Sequence, residues 1–152
     1  MIPVRDYDTY CRSLVTRIPD IDDYALVVSE DHLVKKLKDK TGIILAAVIP
    51  SADPSSPDPD NLKEYNICYI FVVDKPDHTN VTDNSELTSY ENLQNAITDV
   101  KERMLADKVD TSMECTLMHR LDEDSLHTDP EYNIFGGYNG YSLSFRVESL
   151  GF

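Results

Sequence analysis

The chain has 152 residues and carries 28 acidic against 14 basic side chains, a net charge of −14. That length suits a single domain with one core, and a field of that sign repels phosphate backbones, which argues against sequence-specific binding to duplex nucleic acid. The longest apolar run, Ile43 to Ile49, falls far short of the ~20 residues that span a bilayer, and the opening MIPVRDYD lacks the basic-then-apolar order of a secretion signal. A soluble, cytoplasmic type of protein is expected.

Tyr7, Tyr10, Cys11, Leu14, Val15 and Ile18 fall on one face of a helix, with Asp6 able to cap its start and Pro19 ending it. Tyr24 to Val28 reads as a short strand. Ser29 then opens a second helix over 30–40, with acids in its first turn, lysines in its last and Gly42 beyond its end, an order that complements the helix dipole. Ile43 to Ile49 is a continuous apolar run, the mark of a strand buried on both faces, and Pro50 ends it. Residues 50–62, with four prolines and three aspartates, read as a stiff loop.

Tyr65 to Val73 is rich in aromatic and β-branched residues and predicts the strongest strand, antiparallel to the previous one. A polar loop over 74–85 leads to the main helix, 86–107, in which Tyr90, Leu93, Ile97, Val100 and Met104 form an apolar stripe and Thr88 with Glu91 forms a capping box. Residues 113–121 predict a strand and 122–139 an irregular acidic loop. From Tyr141 to Glu148 apolar and polar residues alternate, the pattern of a strand with one wet face. The sum is an α+β domain spanning 1–152: a mostly antiparallel sheet of four to five strands, helices packed on one face, and long loops.

The three cysteines, Cys11, Cys68 and Cys115, are odd in number and lack CxxC spacing, so they read as reduced, buried side chains rather than a disulfide framework or zinc site. There is no GxSxG, no GxxxxGK[ST] and no GxGxxG. No catalytic, cofactor-binding or metal-binding residue is assigned, and the chain is not expected to be an enzyme. His119 and His127, with the acids between them, offer imidazole and carboxylate donors but no metal-ligand spacing; an ordinary polar loop stands against a metal site there. Asp53, Asp58 and Asp60 lack the glycine and distal glutamate of a calcium loop. They sit with Pro54, Pro57 and Pro59 in a segment stiff enough to reach a partner. Lys35 and Lys36 belong to the one basic patch, either a solvated helix end or half of an inter-subunit ion pair. Tyr132, Phe135 and Tyr138 lie in an aromatic cluster suited to core packing or to a protein interface.

The outline formed by an N-terminal helix, a strand pair split by a long loop, one central helix and a terminal strand pair resembles small virion proteins at the head–tail junction of tailed phages, tail-terminator and ring proteins among them. The ending from Pro130 to Phe145, glycines followed by aromatic-x-aliphatic-x-Phe, is similar to the closing strand of some of them, with proteins of crAss-like phages in view. The resemblance implies a structural, non-enzymatic virion protein that assembles in the host cytoplasm as a cyclic homo-oligomer around the DNA channel. It would contact other virion proteins such as portal or tail components. It also implies that the loops Pro50–Leu62 and Asp74–Ser85 are assembly elements and that the acidic charge makes a wall that does not grip DNA. A small acidic protein-binding adaptor is the alternative.

Overall fold

The first helix, α1, runs over Val4–Arg17. The structure is a computed structural model describing residues 1–55, 58–112 and 117–150. Pro3 stands at the N-cap position of α1, where its fixed φ and missing N–H cost nothing. Asp6 therefore lies in the first turn instead of capping it. Ile18 is extended at the other end, as a residue before proline must be.

Strand β1 (Asp23–Val27), helix α2 (Glu30–Leu37) and strand β2 (Ile44–Pro54) form a crossover unit, and β1 pairs with β2 in parallel. Helix α2 stops three residues before the expected end. The Ser29 side chain makes no capping bond, and the His32 ring instead accepts the Val28 N–H at 3.2 Å.

Strand β2 continues past Pro50 through a bulge between Val48 and Ser51, so residues 50–54 are strand and not loop. The prolines are tolerated because β1 ends opposite Val48. From there β2 has one free edge, where a missing N–H leaves no ladder bond broken. Strand β3 (Lys63–Asp74) returns antiparallel to β2 and also pairs with the last strand, which makes it the centre of the sheet.

Helix α3 (Asp83–Val109) begins three residues earlier than its apolar stripe suggests. The capping box is Thr82 with Ser85: the Ser85 N–H donates to Thr82 Oγ1 at 3.1 Å and the Thr82 N–H to Ser85 Oγ at 2.9 Å. Thr88, expected in that role, instead donates its hydroxyl to the Asn84 carbonyl.

The larger departure follows. Residues 113–116 of the strand expected at 113–121 lie outside the described residues, Leu117–Arg120 is a turn of 3-10 helix, and only Leu121 is strand. The expected acidic loop is instead β4 (Leu121–Ile134), antiparallel to β5 (Tyr138–Leu150). The strand order is β1-β2-β3-β5-β4, a mixed, mostly antiparallel five-stranded sheet with three helices. No helix is long and apolar enough to cross a membrane.

The helices do not share one face. Successive residues of a strand point to opposite sides, and Leu45, Ala47, Cys68, Ile70, Val72, Leu143 and Phe145 pack under α1 and α3. Ala25, Val27, Ile44, Ala46 and Val73 pack on the other side with Leu33 and Leu37 of α2. A crossover helix must leave the sheet plane, and α2 leaves it away from α1 and α3.

The larger layer is tied together by a buried carboxylate. Asp107 of α3, 4% exposed, accepts both guanidinium N–H groups of Arg17 at 2.8 and 2.7 Å and the Tyr10 hydroxyl at 2.7 Å. Burial alone would raise its carboxyl pKa, but these bonds and the Arg17 charge outweigh it and hold the group below the usual carboxylate range.

Removing the carboxylate in Asp107→Ala leaves Tyr10 and Arg17 without their acceptor, and we expect a loss of about 2–4 kcal/mol in urea denaturation. Because the folded-state pKa is depressed, the stability this group supplies is complete above the unfolded value of about 4 and is lost as pH falls through the lower folded value. Asp107→Asn should therefore flatten the acid limb of the stability–pH curve, read as midpoint against pH. A second test is Gly140→Ala. Its Cβ would stand 2.0 Å from the Val72 carbonyl oxygen and 2.8 Å from Val73 Cα, backbone atoms that cannot move aside. The expected outcome is a loss of about 3 kcal/mol or more, or no folded protein, by circular dichroism and denaturation.

Candidate functional site

Half of one sheet face is bare. Helix α2 covers the end of the sheet around Ala46 and Val73, and Phe135 closes on Phe71 edge-to-face with ring centroids 4.9 Å apart. Further along β3, Tyr65, Ile67 and Tyr69 point to the same side, since each is two residues from the next. Among the described residues no element covers them. Tyr69 is 44% exposed although it sits on the central strand of the sheet.

Their cross-strand neighbours share that face. On β5 these are Glu148, Arg146 and Ser144; on β2 they are Asp53, Ser51 and Val48. The result is a row of two tyrosines and an isoleucine flanked by Ser51, Val48 and Ser144 and by the charged side chains Asp53, Arg146 and Glu148. Between them lies a shallow depression of about 310 Å³ bordered by Ile67, Tyr69, Ser125, Ser144 and Arg146.

Arg146 and Glu148 on this face are paired within the chain. Arg146 bonds Asp122 of β4 at 2.7 Å and stacks over the Tyr65 ring at 5.1 Å, and Lys63 pairs with Glu148 at 3.6 Å. Ser125 fills the gap in the β4–β5 ladder between Asp122 and His127, where it accepts the Arg146 N–H at 2.8 Å and donates to the Asp122 carbonyl.

The two sheet edges are poor docking strands. On β4 there are two register shifts, Pro130, and the acids Asp122, Glu123, Asp124, Asp129 and Glu131. Each of these features discourages another strand from adding. The opposite edge, β1, is five residues long, and Lys36 donates to its Leu26 carbonyl.

The residues singled out from the sequence are scattered around this face. Asp53 and Pro54 end β2, opposite Tyr65 and Glu64, and both are exposed. Pro57 lies outside the described residues. Asp58, Pro59 and Asp60 form a local turn in which Asp58 Oδ1 accepts the Asp60 N–H at 3.0 Å, so its carboxylate serves its own backbone. Lys35 is exposed, but Lys36 is held by Leu26 and Lys40 pairs with Asp23 at 3.2 Å, so the basic patch is partly tied within the chain.

The aromatic cluster divides. Tyr132 is 65% exposed, Phe135 packs on Phe71, and Tyr138 is buried with its hydroxyl donating to the Leu37 carbonyl at 2.8 Å. Tyr138 thus holds α2 to the sheet.

The histidines do not converge. His119, in the 3-10 turn, contacts the Asp110 carbonyl at 2.8 Å, and His127, within β4, the Asp129 carboxylate at 2.9 Å. Among the described residues no three His, Cys, Asp or Glu side chains are grouped to hold a metal ion. Cys11 and Cys68 are buried thiols, and burial pushes the Cys68 pKa up to about 12; Cys115 lies outside the described residues.

Sequence reasoning did not single out Tyr65, Ile67 or Tyr69. The one available signal was on β5, whose Ser142, Ser144, Arg146 and Glu148 mark a wet face that its neighbour β3 must share. The chain matches no family model and no curated protein sequence.

Cys68 provides a check on how closed the covered face is. Its thiol should stay unreactive toward a disulfide reagent at pH 8 in the folded Cys115→Ser variant and become reactive on unfolding, measured as thiol release with and without urea.

Proposed function

We propose that the chain is a non-enzymatic structural subunit that assembles into an oligomeric ring of a tailed-phage particle, in the head–tail connector or tail, around the DNA channel. The observation that carries the assembly part is the uncovered sheet face: Tyr69 is exposed and Tyr65 and Ile67 are half-buried on the central strand, beside the ion pairs Arg146–Asp122 and Lys63–Glu148. An apolar surface of that kind, with aromatic side chains at its centre, suits contact with another chain. The net charge of −14 supports the channel part. It repels DNA phosphates, so a wall carrying it lets DNA pass without gripping it. The phage assignment itself rests on the resemblance of the elements and of the closing strand.

The second reading is a small acidic protein-binding adaptor. What favours it is the blunting of both sheet edges, which removes the simplest way for identical subunits to join sheet to sheet. In either reading the bare face is the contact surface and no covalent chemistry is involved.

Mass photometry with negative-stain microscopy of the purified chain separates the two. The ring reading expects closed particles of one stoichiometry, built from heterologous contacts. A strict monomer at all concentrations, with no assembled particle containing the chain, rules that reading out and leaves the adaptor. In the ring case Tyr69→Asp should shift the population to monomer, because a carboxylate at the centre of the contact loses its water without gaining a partner. The thermal midpoint of the same variant should fall only modestly, since Tyr69 is 44% exposed and belongs to neither buried cluster.

A further inference from the structure

The loop between β3 and α3, the first turns of α3 and the β4–β5 hairpin enclose a cavity of about 360 Å³, at the small end of the roughly 300–1,000 Å³ of ligand pockets. It lies apart from the bare sheet face. The loop is fastened across it: His78 Nε2 donates to the Gly137 carbonyl at 2.9 Å, since a carbonyl can only accept. Asp77 holds the loop's own shape through Thr79 and Asn80.

Three of the lining groups are best placed to grip a ligand. Asn139, 3% exposed, lines the cavity. Its Oδ1 accepts the Asn133 N–H at 2.8 Å, which fixes the amide orientation, and its Nδ2 donates to no atom among the described residues. No buried side-chain nitrogen or oxygen among the described residues lacks a partner, so this NH2 opens to the cavity. Glu86 also lines it and makes no side-chain hydrogen bond or ion pair among the described residues, and Tyr132 supplies a largely exposed ring at the rim.

These groups select a chemistry. The amide NH2 needs an acceptor and the carboxylate needs a donor. An ammonium group offers no acceptor and a phosphate offers Glu86 only repulsion; no lysine or arginine lines the cavity. A metal ion lacks a ligand set among the described residues. A hydroxyl both donates and accepts, and the Tyr132 ring favours a flat partner with an apolar face. We propose that this cavity binds a neutral polyhydroxylated ring, a sugar unit, with Asn139 and Glu86 gripping its hydroxyls and Tyr132 stacking on its face.

The test is a series of proton–nitrogen correlation spectra of the full chain titrated with glucose, galactose, mannose and N-acetylglucosamine. At least one should displace the Asn139 side-chain amide signal and the backbone signals of Ser85 to Ser89 in a saturable way. Tyr132→Ala and Glu86→Gln, both at solvated positions that leave the core intact, should each weaken that binding about fivefold to tenfold. Asn139 is left in place because its Oδ1 holds the Asn133 backbone. If none of the four sugars moves these signals up to its solubility limit, the proposal is wrong. It is equally wrong if the two variants bind as tightly as the parent, or if ethylamine or inorganic phosphate moves the same signals where the sugars do not.

Discussion

One buried carboxylate organises the larger half of the molecule. Helix α1 has no chain-local reason to lie on the sheet beside α3, because 90 residues separate Arg17 from Asp107. The bidentate pair with Tyr10 bonded to the same oxygen supplies that reason. An ion taken out of water is costly unless it is paired and hydrogen-bonded, and here the two arms of one guanidinium and a hydroxyl fill three of the carboxylate's four acceptor sites. Tyr7, Cys11 and Leu14 then join Leu93, Ile97 and Val100 in one buried cluster over the sheet. The carboxylate fixes where the layer sits; the apolar side chains give it mass.

The opposite face of the sheet is built on a different rule. There α2 and the Phe135–Tyr138 turn cover only the end nearest the crossover. One edge carries negative charge, proline and irregular register, the other is short, and the middle carries tyrosines. A molecule that discourages pairing at its edges while leaving aromatic side chains on its central strand directs contact to one place. The same division separates the sheet face from the cavity at the start of α3, which is polar, small and walled by loops.

What could be read in advance depended on how much each element's burial showed in its own residues. The stripe from Leu93 to Met104 and the alternation from Tyr141 to Val147 are visible because one face of each is dry. The first two turns of α3 are polar and exposed, so only the Thr82–Ser85 cap marks them, and Thr88–Glu91 competes with it on paper. Strand β4 was not legible. An edge strand has one neighbour, and with acids along it and Pro130 inside it, the segment carries the composition of a loop. Its pairing is imposed by β5. The bare face was hidden for the converse reason: Tyr65 to Val73 is apolar at nearly every position, so nothing in the run marks one side as uncovered. Burial there depends on what else the chain provides to cover it, and among the described residues α2 reaches only the far end.

The long span of the Arg17–Asp107 contact has a consequence for how the chain is made. Contacts between distant residues form late, because the intervening loop must close first. At roughly 5–20 residues per second of synthesis, α1 emerges several seconds before its partner helix exists. During that interval β1 and β2 can already cover part of the face bearing Tyr7, Tyr10, Cys11 and Leu14, but the donors Tyr10 and Arg17 have no acceptor. The layer can therefore collect on the first strands early, yet it takes its final register only when α3 brings Asp107 to those waiting donors.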